Sequence, residues 1–360
     1  MKVDNWILTK SLGKGAFAEV FLTMKEGNKE YYATKKLNRA FSEQPSNLKR
    51  LMNEILILKS INHPNIVKLI DLKKTKTDLY IVTEYCNGGN LYDCLNKYMY
   101  KYYMPFPVEI IQHILRQVVK ALHYLHKNKI IHRDLKLENI LLHYPTEKDK
   151  NSLNIMSSTA KLIDFGFATK LRASHGNLAY TLLGTPTNME PHLLKNLQKD
   201  ESNYNGYDEK VDIWSLGALC YELLVGHSAF EGNTIDELYN KVNVGNYKIP
   251  LNASKEIVSF INGMLQNDPK KRLSTEELLK HDFLVKNPKN FEKIDSSKIK
   301  NKISQNEINI NFKQNQSIWA EFNQNKNQQN KKDYHYVNNE YYKIKNENLN
   351  NFYQNNQVKH

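Results

Sequence analysis

The segment IIHRDLKLENILL, residues 130–142, concentrates functional side chains between two apolar runs. Asp134 could accept a proton from an attacking hydroxyl group, and Lys136 could neutralise charge on a transferring phosphoryl group. Asn139 and, after the β-branched run in KLIDFGFA, Asp164 offer oxygen atoms of the kind that Mg²⁺ binds. A merely structural turn does not need so many functional groups. Chance or a purely structural turn is therefore a poor explanation of this segment.

A glycine-containing turn precedes this segment in LGKGAFAEV, where Gly13 and Gly15 separate two predicted strands. Glycine lets backbone amides approach a phosphate closely. The turn is weak evidence by itself, because many hairpins carry two glycines and bind nothing. The third glycine of the usual pattern is replaced by Ala18. The turn therefore supports a phosphate-binding site only in combination with the residues that follow it.

Lys35 lies in YATKK on the strand after that turn. Because side chains alternate along a strand, Lys35 shares a face with the apolar Ala33 and should point into a cleft, whereas Lys36 should face solvent. Glu54 lies on the next predicted helix. An ion pair between Lys35 and Glu54 could hold the lysine against a phosphate.

The surrounding elements change character near residue 91. WILTKSLGKGAFAEVFLTM, KEYYATKKL and DLYIVTEY carry β-branched and aromatic residues, which predict strands. Between them, SNLKRLMNEILILKSI predicts a helix with apolar positions 48, 51, 52, 55 and 58. From Leu91 onward the pattern is mainly helical, as in EIIQHILRQVVKALHYLHKNK and VDIWSLGALCYELLVG. A strand-rich lobe followed by a helical lobe predicts a cleft, where ligands usually bind.

The composition limits the class of protein. The 360 residues are 40% apolar and include three cysteines without metal or pairing spacing, which favours a reducing, cytoplasmic location. The start has no signal-peptide run, and no later segment has the length of a membrane span. The net charge of +13 comes from scattered lysines, without a basic patch interleaved with aromatic residues. We therefore expect no nucleic-acid partner.

The last 60 residues differ from the rest of the chain. Residues 301–360 contain 17 Asn and 8 Gln, and such a tract buries too little apolar surface to offset its ordering entropy. We predict a largely disordered tail from residue 285 to 360. Its tyrosines and Trp319 could anchor a binding partner, although the composition favours a passive tail.

The glycine turn, Lys35, Glu54, HRDLKLEN, DFG, GTP and VDIWSLG follow one another as in eukaryotic protein kinases. The resemblance covers residues 6–284 and is very specific as a set. It implies an α+β, bilobal protein kinase fold. Residues 1–86 would form an N-lobe of antiparallel sheet plus one helix, and residues 87–284 a mainly helical C-lobe. It also implies ATP and Mg²⁺ as cofactors and proteins as substrates.

The resemblance assigns roles to the residues of the central segment. Asp134 would be the catalytic base, with Lys136 beside it. Asn139 and Asp164 would bind Mg²⁺. Asp212, in VDIWSLG, would brace the catalytic loop.

The resemblance also outlines an ATP site. Lys35 would contact the α- and β-phosphates while Glu54 holds it. Thr83 would be the gatekeeper, and Glu84 and Cys86 would offer backbone groups to adenine. Leu12, Val20, Ala33 and Leu141 would sandwich the base. The complete set of residues predicted to bind ATP is Leu12, Gly13, Lys14, Gly15, Ala16, Phe17, Ala18, Val20, Ala33, Lys35, Glu84, Cys86, Leu141 and Asp164.

Lys136, two residues after Asp134, resembles the serine/threonine type of kinase. NEILILKSINHPNIVKL, TEYCNGGNLYDCL and DFGFATKL are similar to the autophagy-initiating (ULK-type) kinases. The alternative is a pseudokinase scaffold, which Ala18, His192 and the polar tail favour. The intact Lys35, Asp134, Asn139 and Asp164 oppose it. A small-molecule kinase is disfavoured by the long segment from Asp164 to His192.

The stretch GTPTNMEPHLL departs from the family, which carries A-P-E where this chain has Glu190, Pro191 and His192. The family glutamate pairs with an arginine that corresponds to Arg272. Since the residue before proline is extended and residues two apart in an extended stretch share a side, we predict that Glu190 takes over this ion pair. The competing account has His192 accept one hydrogen bond from Arg272.

Thr181 is the candidate activating phosphosite, three residues before Gly184. A phosphate there could form charge-assisted hydrogen bonds with Arg133, which directly precedes the catalytic Asp134. Ser174 and Tyr180 are the next candidates.

Overall fold

The N-terminal lobe contains an antiparallel sheet of six strands in the order β1-β2-β3-β4-β6-β5. The structure is a computed structural model that describes residues 1–14, 18–37, 45–179, 184–197, 206–245 and 247–292. The predicted site residues Gly15, Ala16, Phe17 and Thr181, and the tail from residue 293, lie outside the described residues. The strands of the sheet are β1 Lys2–Val3, β2 Trp6–Lys14, β3 Ala18–Lys25, β4 Tyr31–Leu37, β5 Leu69–Lys74 and β6 Leu79–Glu84.

The register of the sheet gathers predicted site residues on one face. Val20 pairs with Lys35, and Ala33 pairs with Thr83. Paired residues share a face, and so do residues two apart on one strand. Val20, Ala33, Lys35 and Thr83 therefore lie on the same side of the sheet. Ile81, which pairs with Lys35, lies there too and is buried against helix α1.

Helix α1, Pro45–Ser60, lies on that side of the sheet. Leu51, Ile55 and Leu58 are buried, as the apolar pattern predicts. The same pattern is wrong for Leu48 and Met52, which are 43% and 49% exposed. The helix packs against the protein on one side only, so an apolar stripe wider than that contact extends into solvent.

The C-terminal lobe is mainly helical and is built around helix α6. This helix is buried almost all round, from Val211 to Leu223, which fits its nearly continuous apolar sequence. The helices of the lobe are α2 Leu91–Tyr102, α3 Val108–Lys127, α4 Glu147–Ser152, α5 Pro191–Asn196, α6 Lys210–Val225, α7 Ile235–Val244, α8 Lys255–Met264, α9 Thr275–Lys280 and α10 Asp282–Val285. Short 3₁₀ turns occupy Leu137–Asn139, Ile155–Ser157, Ala173–His175, Pro186–Asn188, Pro269–Lys271 and Pro288–Asn290.

Two short antiparallel ribbons flank the HRDLKLEN loop and the DFG triplet. Strand β7, Ile130–Ile131, pairs with β10, Thr169–Lys170. Strand β8, Ile140–His143, pairs with β9, Thr159–Leu162. The ribbons bracket the HRDLKLEN loop on one side and the DFG triplet on the other. Both segments are therefore fixed relative to each other by backbone hydrogen bonds.

The predicted α+β, bilobal fold is confirmed. Packed structure continues past the predicted boundary at residue 284, because the Glu292 backbone N–H bonds the Glu256 carboxylate and the Phe291 ring lies 5.8 Å from that of Phe283. The division between the lobes at residues 86 and 87 stays a prediction. Among the described residues, no helix combines the length and apolar character that crossing a membrane requires.

Candidate active site

The Asp134 carboxylate is held by three side chains. It follows β7, in a loop that closes through the 3₁₀ turn Leu137–Asn139. The Thr185 hydroxyl donates to Oδ1 at 2.7 Å, and the Asn139 amide donates to Oδ2 at 2.9 Å. Lys136 Nζ lies 3.2 Å from Oδ2 and donates to the Thr185 oxygen at 2.9 Å. This carboxylate, only 4% exposed, is held in a single orientation.

Asp212 holds the HRDLKLEN loop by accepting hydrogen bonds from its backbone. Its carboxylate accepts hydrogen bonds from the backbone N–H groups of His132 and Arg133 at 2.9 and 2.8 Å, and lies 2.9 Å from His126 Nε2. Burial alone would raise the pKa of Asp212, but these donors outweigh it and the pKa is lowered. Arg133 adopts a φ of +69°, a strained value for an arginine. The brace from Asp212 keeps the loop in this conformation.

The residues present suit a Mg²⁺ ion. The Asn139 Nδ2 group donates to the backbone carbonyl of Asp134 at 2.8 Å as well as to its carboxylate, and both partners are acceptors. The amide oxygen therefore faces away from Asp134 and takes no part in these hydrogen bonds. Asp164, in the DFG triplet, is exposed. Partial desolvation by the surrounding protein opposes its ionisation, but Lys35, the Gly166 N–H and further nearby cations together outweigh this effect and lower its pKa. One carboxylate and one amide oxygen, completed by phosphate oxygens and water, form a usual Mg²⁺ site.

The predicted pair between Lys35 and Glu54 is present, with 3.4 Å between Nζ and Oε1. Burial alone would lower the pKa of Lys35, but the carboxylates of Glu54 and Asp164 offset this and the pKa is raised. Burial raises the pKa of Glu54, which shares one ammonium group with Asp164. The lysine is thus a fixed positive charge between the sheet and the DFG triplet, suited to a phosphate.

The hinge between the lobes offers free backbone groups. Cys86 follows β6, and within the described part of the chain neither its N–H nor its carbonyl has a hydrogen-bond partner. Burial raises the pKa of the Cys86 thiol to about 12, so the side chain itself is not a nucleophile. Glu84 is held by Lys161, whose Nζ lies 2.7 Å from its Oε2, and by the backbone N–H of Lys68 at 2.7 Å. A base that pairs with the hinge would meet a rigid edge.

The walls of the predicted nucleotide pocket are partly open. Leu12 is 42% exposed near the end of β2, whereas Val20, Ala33 and Leu141 are half-buried. A Cβ built on Gly13 would meet no atom within 4 Å, so protein packing does not require glycine there. Close approach of a ligand is a reason for glycine at this position. The remaining described residues of the predicted set, Lys14 and Ala18, end β2 and begin β3.

The ion pair between Glu190 and Arg272 is present, as predicted. Both side chains are fully buried, and Arg272 also donates to the backbone carbonyls of Gln266 and Lys210 at 2.7 and 3.0 Å. Burial lowers the pKa of Arg272 even though Glu190 opposes this effect. Within the described part of the chain, His192 makes no hydrogen bond to Arg272.

The backbone route to this ion pair differs from the predicted one. Glu190 is extended, with φ −67° and ψ 158°, as expected before proline. Pro191, however, begins helix α5, so Glu190 and His192 do not share a side of an extended stretch. Proline suits the first position of a helix because its missing N–H is not needed there. The glutamate therefore stands at the helix N-terminus and the histidine one residue inside it.

Three residues of the site were missing from the sequence prediction. Thr185 lies 51 positions from Asp134, His126 lies 86 from Asp212, and Lys161 lies 77 from Glu84. Thr185 belongs to the GTP motif, which is a signal for it. Lysine and histidine in otherwise regular elements carry no comparable signal.

Comparisons with known proteins point to the same family as the arrangement of these residues. Residues 6–284 match the family described as protein kinase domain. A probable serine/threonine-protein kinase MARK-A of Dictyostelium discoideum is 32% identical over 320 residues, 88% of this chain and 28% of that protein. Calcium-dependent protein kinase 5 of Plasmodium falciparum is 34% identical over 280 residues, 76% of this chain and 44% of that protein.

Myosin light chain kinase A of Dictyostelium discoideum is 34% identical over 296 residues, 81% of this chain and 91% of that protein. The chain therefore spans less than half of the first two relatives and most of the third. The family match begins at the first residue of β2 and ends within α10, and so includes every described residue to which a role was assigned above. On this match, the chain belongs to the protein kinase family.

Proposed function

We propose that the protein transfers the γ-phosphoryl group of Mg-ATP to serine or threonine hydroxyl groups of protein substrates. The observation that supports this most is the Asp134 carboxylate, which Thr185, Asn139 and Lys136 fix in one orientation. A scaffold that only binds partners has no physical need for this arrangement. The family itself implies ATP and, in most members, Mg²⁺.

Each residue has a task in this proposal. When bound, Mg-ATP would supply the phosphoryl group and the metal charge that stabilises its transfer. Lys35 would hold the α- and β-phosphates, and Asn139 and Asp164 would bind the metal ion. Asp134 would orient the attacking hydroxyl and take its proton as the oxygen–phosphorus bond forms and the bond to the β-phosphate oxygen breaks. Lys136 would offset the charge on the transferring group.

The pathway, the type of hydroxyl group and the cellular location rest on different observations. A role in autophagy initiation rests only on the similarity of three segments to ULK-type kinases. The relatives named above include a probable serine/threonine-protein kinase and a myosin light chain kinase, which favour the serine/threonine type. We also propose a cytoplasmic location, since all three cysteines lie in the described part of the chain and are unpaired.

Phosphotransfer decides between an enzyme and a scaffold. The purified protein should incorporate labelled phosphate from Mg-ATP into a generic basic protein. Asp134→Ala should lower this rate by about 10²–10⁴-fold, the usual contribution of a general base, while ATP affinity measured by calorimetry stays within about twofold. The matched control is Asp282→Ala, which removes an exposed aspartate of α10 that pairs with Lys286 at the surface.

Two results would contradict the proposal. A wild-type protein that binds ATP and transfers no phosphate is a pseudokinase scaffold. An Asp134→Ala variant with the turnover of Asp282→Ala would show that another group removes the proton.

A further inference from the structure

Two successive backbone carbonyls after the DFG triplet accept hydrogen bonds from two different parts of the chain. The Phe167 carbonyl accepts a hydrogen bond from Arg133 Nε of the catalytic loop at 2.5 Å. The next carbonyl, that of Ala168, accepts a hydrogen bond from the Asn53 side-chain amide at 2.6 Å. Asn53 belongs to helix α1 of the N-terminal lobe. A single peptide segment therefore connects this helix with the catalytic loop.

Helix α1 makes a second contact with the same segment. The Arg50 guanidinium lies 5.8 Å from the centre of the Phe167 ring, within the range of a cation–π interaction. Arg50 and Asn53 are three residues apart and therefore neighbours on the helix surface. Asn53 directly precedes Glu54, so any movement of the helix that breaks the Asn53 contact also displaces the partner of Lys35.

The apolar residues of α1 are divided between two clusters, and this division bears on the role of the Asn53 contact. Near the C-terminal end of the helix, Ile57 and Leu58 belong to the large core that continues into the C-terminal lobe. Farther toward the N-terminus, Leu51 and Ile55 belong to a separate, smaller apolar cluster with Leu37 and Ile81 of the N-terminal sheet. That half of the helix meets the DFG region through the side chains of Arg50 and Asn53.

The segment on the other side of the contact is well anchored. Strand β10, Thr169–Lys170, pairs with β7 directly before the catalytic loop. The Ala168 N–H donates to the Phe165 carbonyl at 3.0 Å, and the Phe165 ring is fully buried against His132. The Ala168 carbonyl is thus a fixed point relative to Asp134. The hydrogen bond therefore ties the helix to this fixed point.

We propose that Asn53 is a positioning residue, which holds helix α1 where Glu54 reaches Lys35 by donating a hydrogen bond to the Ala168 carbonyl. The amide orientation is determined, because a carbonyl oxygen can only face the N–H side of the amide. The Lys35–Glu54 contact is long, at 3.4 Å, and Lys35 is one-third exposed, so we expect this ion pair to hold the helix less firmly than a short, fully buried pair would. The activity consequences of this inference rest on the proposed function.

Three variants of the full chain test the proposal. Asn53→Leu keeps the approximate size and removes the donor. Asn53→Gln retains an amide donor on a longer side chain. The matched control is Asn128→Leu, which removes an exposed amide outside helix α1 that donates to the Tyr124 carbonyl at 2.8 Å.

Two measurements are made on each variant. The first is kcat for phosphotransfer, with KM for the protein substrate measured alongside. The second is amide hydrogen exchange in α1 and in β10, with α6 as internal reference. Leaving a carbonyl without its donor shifts a two-state equilibrium by roughly 5- to 100-fold. We expect Asn53→Leu to lower kcat about tenfold, leave KM for the protein substrate unchanged and speed exchange in the N-terminal half of α1. Asn53→Gln should recover part of both effects.

A merely structural asparagine would lower the melting temperature and leave kcat per folded molecule unchanged, and that result refutes the proposal. So does exchange in α1 of Asn53→Leu equal to that of Asn128→Leu. If the wild-type protein transfers no phosphate, the proposed function fails, but the exchange comparison still decides whether Asn53 positions the helix.

Discussion

The ion pair between Glu190 and Arg272 is the departure from the family that can be tested most directly. Glu190→Ala leaves a fully buried guanidinium without its carboxylate. Breaking a buried pair by removing one partner costs about 3–5 kcal/mol, because an uncompensated charge stays in the interior. We expect the low end, about 3 kcal/mol. Arg272 retains the Gln266 and Lys210 carbonyls and the Trp214 ring, whose centre is 5.1 Å away.

The corresponding change in melting temperature is large enough to measure. For a cooperative unit of about 200 residues, each kcal/mol moves the melting temperature by about 2–4 °C. Glu190→Ala should therefore melt about 6–12 °C below the wild type. Calorimetry with circular dichroism at two wavelengths measures this shift and shows whether the two lobes unfold together.

The control is Glu276→Ala, which removes a carboxylate from an exposed ion pair with Lys280. Such pairs contribute about 0–1 kcal/mol, so this variant should melt near the wild type. A Glu190→Ala protein as stable as Glu276→Ala would refute the argument that Arg272 depends on Glu190. In that case, His192→Glu should raise the melting temperature by supplying the usual family carboxylate.

Three further predictions concern regulation, acid stability and the tail. Mass spectrometry of active protein should find phosphate on Thr181, and Thr181→Ala should lower activity; full activity in that variant would move attention to Ser174 or Tyr180. Asp212 has a lowered pKa in the folded protein, so its stabilising contribution is present above the unfolded value of about 3.9 and is lost as the pH falls through the folded value. Asp212→Asn should lose stability at neutral pH and show a shallower acid limb in urea titrations between about pH 5 and 2; a limb of wild-type slope would contradict this. Removal of residues 301–360 should leave a folded protein with wild-type turnover, and loss of folding on truncation would show that the tail docks on a lobe.

The sequence by itself determined the local parts of the site. Asp134, Lys136 and Asn139 lie within six residues, and a tight loop between two short strands leaves few ways to arrange them. The alternation along β4 correctly placed Lys35 on the inner face. The pre-proline rule correctly gave Glu190 an extended backbone, because the clash with the proline ring acts between neighbouring residues. These inferences succeeded because the forces involved act over a few positions of the chain.

Only the tertiary structure decided the contacts between distant segments. Asn53 meets the Ala168 carbonyl across 115 positions, and Thr185 meets Asp134 across 51. An asparagine on a helix or a threonine in a loop has no sequence feature that names its partner, since any backbone carbonyl or carboxylate would serve. The partner is set by how the lobes and ribbons pack, and that packing depends on the whole core. For the same reason the pattern of α1 predicted an apolar stripe but could not show that Leu48 and Met52 would stand in solvent.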